Sequence, residues 1–189
     1  MARVKRQENS RIEHICGKGN HVIPKGDPYL MASPGFRRRK PLIRCVNHPF
    51  RPSELTTSAR SEPLSAIEAF EDAAAAGFDS IEDLQSAWDD LGSSLEDYVS
   101  TREEALDAWE HGNSQLEDLK DQAESAYQEW EGHDIEDFDE DEPQREDFKD
   151  TDKGQDKYDT AWEEWDAARQ DHIQEQTDEA LDAAGSLDV

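Results

Sequence analysis

Charge divides this chain into two segments that cannot share one kind of surface. Residues 1–51 carry twelve lysines and arginines against Glu8, Glu13 and Asp27, a net of +9. The rest carries eight basic and 44 acidic side chains, a net of −36. Carboxylates at that density must stay in water, so the second segment can bury only a narrow stripe. Extended amphipathic helices meet that condition and a thick core does not. Hydrophobic residues make up 34 % of the chain and charged residues 35 %, which points the same way. Salt adaptation would acidify every surface, so it does not explain the basic first segment. Charge opposition on this scale predicts partners.

The basic segment also holds both cysteines. Four residues separate Cys16 from His21, and two separate Cys45 from His48. Two short-spaced Cys/His pairs across a loop supply the four N/S ligands of a tetrahedral zinc ion. His14 is an alternative to His21 as the fourth ligand. The competing reading is two free thiols in a small core with surface histidines. Four protein ligands would leave no open position, and no nearby glutamate is placed as a base, so a catalytic zinc is not expected. Short β-prone runs at His21–Ile23, Tyr29–Ala32 and Leu42–Arg44, separated by Pro/Gly turns, predict a small α+β module over 1–51. A piece so poor in apolar residues needs a staple to fold. Arg37, Arg38, Arg39 and Lys40 sit in the loop before the second pair. They would either contact nucleic-acid phosphates or dock on the acidic half of this chain or of another copy.

The Cys…Ile-x-x-Gly-x-x-Tyr…Cys-x-x-His arrangement, with Ile23, Gly26 and Tyr29, resembles the zinc fingers of the poly(ADP-ribose) polymerase type. Those treble-clef-like modules recognise DNA breaks. Here Gly19 stands where that family has its second thiolate, and the second pair runs Cys then His. Over most of its length the chain resembles uncharacterised tailed-bacteriophage proteins. These begin with such a finger, continue through a segment like Arg51–Ser58 and end in acidic helices. That resemblance implies no established activity; the expectation is an accessory protein of the host cytoplasm or the virion.

The acidic segment reads as helices. Residues 52–78 predict short connecting helices, the second following Pro63 and closed by Gly77. Over 79–131, Ile81, Leu84, Trp88, Leu91, Leu95 and Tyr98 fall alternately three and four apart. The register continues through Arg102, Ala105 and Trp109, then Leu116, Leu119, Ala123, Ala126 and Trp130. This is a coiled-coil-like seam. Gly112-Asn113 and a capping box at Ser114 and Glu117 favour a helical hairpin, whereas the unbroken heptad phase suits one continuous helix. Residues 132–154 predict an acidic linker too charged to fold alone, with Phe138 and Phe148 as anchors for a basic groove. Its carboxylates lack the spacing of a calcium loop. A last helix over 155–185 is stopped by Gly185. The tryptophans are expected in a bundle core, with a partner pocket as the alternative.

The fold class is therefore mostly α, a zinc-stapled module followed by long acidic helices in a coiled coil or antiparallel bundle. No nucleophile elbow, phosphate loop, dinucleotide fingerprint or metalloprotease helix appears, and no enzyme is expected. No run is apolar enough to span a membrane. The basic start lacks an apolar segment behind it, so no secretory signal is expected. Two cysteines without one suit a reducing compartment. The functional expectation is a zinc module on nucleic acid or an acidic surface, with acidic helices for assembly or for a basic host or viral protein. A DNA-mimic inhibitor and a virion component, homo-oligomeric in the latter case, are the alternatives.

Overall fold

The computed structural model describes residues 2–33, 40–109 and 111–189. Among them, strands β1 (Lys5–Gln7), β2 (His14–Ile15), β3 (Val22–Ile23), β4 (Tyr29–Ala32) and β5 (Leu42–Cys45) come first. A 3-10 turn at Pro52–Leu55 leads to helices α1 (Ser61–Ala76), α2 (Ile81–Asp107), α3 (Ser114–Glu131) and α4 (Asp152–Ser186). The chain is mostly helical, with a small sheet region at its basic end. Within that end the described residues contain strands and turns but no helix, so the α part of the expected α+β module is not seen among them. Too few residues lie between its turns for a helix to nucleate.

β1, β4 and β5 form an antiparallel sheet in the order β1-β4-β5, with Tyr29 opposite Cys45. β2 and β3 form a separate hairpin that pairs Ile15 with Val22. Neither β1 nor β2 carries an alternating apolar signal, which is why sequence reading passes over them.

α2 and α3 form a hairpin rather than one helix. Trp130 stacks on Trp88, and Lys120 lies 3.9 Å from Glu103, so the helices run antiparallel. The cap of α3 is Asn113, whose side chain accepts from the amides of Gln115 and Leu116 at 3.0 and 3.3 Å. Ser114, expected to be the cap, is already the first helical residue. The seam from Ile81 to Tyr98 is buried as its spacing predicts. Each such side chain contributes roughly 1.5–3 kcal/mol over its exposed state. The stripe fails at Trp109, which is 57 % exposed past the end of α2.

α1 closes one flank, with Phe70 meeting the Trp88 ring edge-on at 5.3 Å. It starts at Ser61, before Pro63. Proline is tolerated there because the first-turn amides have no intrahelical acceptor. The second half of α4 closes the bundle through Ile173, Ala180 and Ala184. Gly185 lies inside α4 and does not stop it; the helix continues to Ser186, and Leu187 and Val189 tuck into the core.

The acidic segment after α3 is no free linker. Ile135 packs on the core, the Glu136 amide donates to Gln176 Oε1 at 2.8 Å, and Trp165 Nε1 donates to the Glu140 carbonyl at 2.9 Å. Phe138 lies against Trp165 and His172, and Phe148 meets Tyr158 edge-on. Both phenylalanines are spent inside the chain rather than offered to a basic groove. Backbone hydrogen bonds and aromatic contacts outweigh the repulsion of exposed carboxylates that water screens.

Candidate metal centre

The ligand atoms of Cys16, His21, Cys45 and His48 lie within 4.8 Å of one another. Local structure brings them together. The hairpin of β2 and β3 places Cys16 and His21 at its turn, where the Cys16 amide donates to the His21 carbonyl at 2.9 Å. Asn20 takes a left-handed φ of 49° to close that turn. Cys45 ends β5, and the His48 amide returns to the Cys45 carbonyl at 3.1 Å, giving a second tight turn. The Gly17 amide donates to the Ile43 carbonyl at 2.9 Å and fastens the first turn to β5.

The distances suit a tetrahedral ion. His48 Nδ1 lies 3.4 Å from Cys16 Sγ and 3.3 Å from Cys45 Sγ. Zinc with ordinary Zn–S and Zn–N bonds has S···N edges of about 3.5 Å. The His21 and His48 rings are 5.4 Å apart between centroids. Gly19 leaves room for both: a Cβ there would stand 2.5 Å from His48 Cε1 and 2.6 Å from His21 Nδ1. The absence of a thiolate at this position is therefore a packing requirement of a two-histidine site.

Electrostatics favour the metal-binding form of Cys16. Burial pushes its thiol up, but the backbone amides of Cys45, Gly19 and Lys18 and the His48 ring together bring it down to about 6. At neutral pH the sulfur is largely thiolate, the form that binds metal. His14 stands apart from the four, with its ring 4.6 Å from that of Tyr29. The free-thiol reading does not predict two histidines facing two buried sulfurs.

The module is seated on the helices by part of its own charge. Arg44 pairs with Glu54 of the 3-10 turn just past the basic segment. Arg51 pairs with Asp72 of α1 and donates to the Glu68 carbonyl at 3.2 Å. The Arg51 hydrogen bond holds the Asp72 carboxyl below the usual carboxylate range, and Lys18 adds a longer-range pull. Glu68 accepts from the amide and hydroxyl of Ser53 at 2.9 and 2.6 Å. Sequence reading missed this joint, because Glu68 and Asp72 look like two more carboxylates on an acidic helix.

Of the proposed phosphate-contacting loop, Arg37, Arg38 and Arg39 lie outside the described residues, and Lys40 is exposed. Arg3, Lys5, Arg6, Arg11, Lys18 and Lys25 are also exposed on the module. Among the described residues no helix is long and apolar enough to cross a membrane. The chain matches no protein-family model, no curated protein and no solved structure.

Proposed function

We propose that this protein is a non-enzymatic accessory factor of the tailed-phage kind, in which a zinc-stapled cationic module contacts nucleic acid and an acidic helical bundle engages a basic protein. The observation that carries the reading is the convergence of Cys16, His21, Cys45 and His48 in a module whose exposed charged side chains are mostly cationic. Zinc would hold the two turns together, a structural duty, since four protein ligands leave no position for substrate. The exposed lysines and arginines, with Arg37–Arg39, would supply sequence-independent phosphate contacts. The protein would act in the host cytoplasm or within the virion.

Elemental analysis of the purified chain should return one zinc per chain. The zinc-loaded full chain should then bind duplex DNA with an affinity that falls steeply as salt rises. Metal-free protein of normal stability would remove the reading, and so would zinc-loaded protein that ignores DNA. A second reading, a DNA-charge mimic, is supported by the exposed carboxylates along the first half of α4. It predicts that the full chain displaces DNA from a nucleic-acid-binding enzyme without touching DNA itself.

A further inference from the structure

Of the five large apolar side chains that the described part of the basic module exposes, three face water most: Ile12 at 64 %, Ile15 at 64 % and Val22 at 55 % exposure. A module with so little core should not leave them out, and such a patch marks a contact surface. Ile15 and Val22 are paired across the hairpin of β2 and β3, so they stand on one face. Beside Val22 opens a cleft of about 190 Å³ walled by Pro24, Pro28 and Val46 and also by Asn47 and the candidate ligands His21 and Cys45, with Asp27 as its one lining carboxylate. Arg11, Lys18 and Lys25, neighbours of this patch in sequence, are exposed.

The complementary feature stands at the tip of the helical hairpin. Trp109 is the most exposed aromatic among the described residues. Glu103, Glu104 and Asp107 lead up to it in the last turns of α2, and no basic residue is present in the last turn. Carboxylates at a helix C-terminus add to the negative end of the helix dipole, an arrangement that a cationic neighbour relieves. α1 holds the module through Asp72 and touches Trp88 through Phe70, and the helical rise from Trp88 to Trp109 is roughly 30 Å. The tip therefore stands far along the bundle from the level where the module is seated.

We infer that copies of this chain associate head to tail, Trp109 of one entering the Val22–Val46 cleft of the next while the carboxylates of the tip face the module's cations. An exposed tryptophan and the proline and valine side chains of the cleft supply the anchor, and the opposed charges of tip and module supply orientation. The contact is heterologous, since each copy offers a knob and a hole, so assembly proceeds past the dimer into rings or open chains.

Sedimentation velocity of the full, zinc-loaded chain over rising concentration tests this. The wild type should form species larger than dimers that dissociate as salt is raised. Trp109→Ser and Val22→Asp should each weaken association by at least about tenfold. Mixed together, these two variants should form a one-to-one heterodimer, because one retains the hole and the other the knob. If Val22→Asp fails to load zinc, Ile15→Asp replaces it on the same face. A wild type that stays monomeric, association undiminished in either variant, or a mixture that stays monomeric would each overturn the inference.

Discussion

Two glycines decide more of this molecule than their lack of a side chain suggests. Gly19 lets the His21 and His48 rings approach the two sulfurs, and a methyl group there meets both rings closer than van der Waals contact. Gly19→Ala should lower zinc affinity by tenfold or more on the scale that supporting-residue changes show, read by competition with a chromophoric chelator. Gly92, inside α2, leaves the notch into which the Trp130 ring fits. Helix propensity alone favours Gly92→Ala by about 1 kcal/mol. Overpacking against the indole costs about 1–3 kcal/mol, so the variant should melt earlier in urea, and a later melt would show that the ring moves aside freely. Neither glycine signals its role in sequence, because Trp130 in one case and His48 in the other come from far along the chain.

Among the elements, the hairpin and the acidic strap show where periodicity is a sufficient guide and where it is not. The three-four spacing of α2 correctly marks Ile81 to Tyr98 as buried. The cap of α3 shifts by one residue from the expected box, to Asn113. Asn113→Ala should therefore cost about 1 kcal/mol in thermal unfolding. Ser114→Ala, which removes no cap, should stay within a few tenths of wild type. The strap after α3 has no period at all, and its composition reads as disorder. Its order comes from α4, through Gln176, Trp165 and His172. Amide exchange should find the Glu136 amide protected and released together with the bundle, whereas a free linker would exchange at the unprotected rate.

At the scale of the whole molecule, a module built around the Cys16, His21, Cys45 and His48 cluster and a helical bundle meet at a polar joint. Cys45→Ser should abolish zinc binding and unfold the module, yet leave the helical circular dichroism close to wild type, because the core of α1 to α4 contains no residue of the module. Helical signal lost in step with zinc would instead make the two parts one cooperative unit. From sequence alone came the charge division, the four converging ligands and the helical nature of the acidic segment. Each is set by residue identity and short spacing, which act through local chemistry. Tertiary structure alone decided that Trp88 is buried while Trp109 is not, that the strap is held on α4, that the module stands on Glu68 and Asp72, and that Ile15 and Val22 face outward. Those outcomes depend on which surfaces meet across long stretches of chain, and seams of equal period do not say where a partner helix ends.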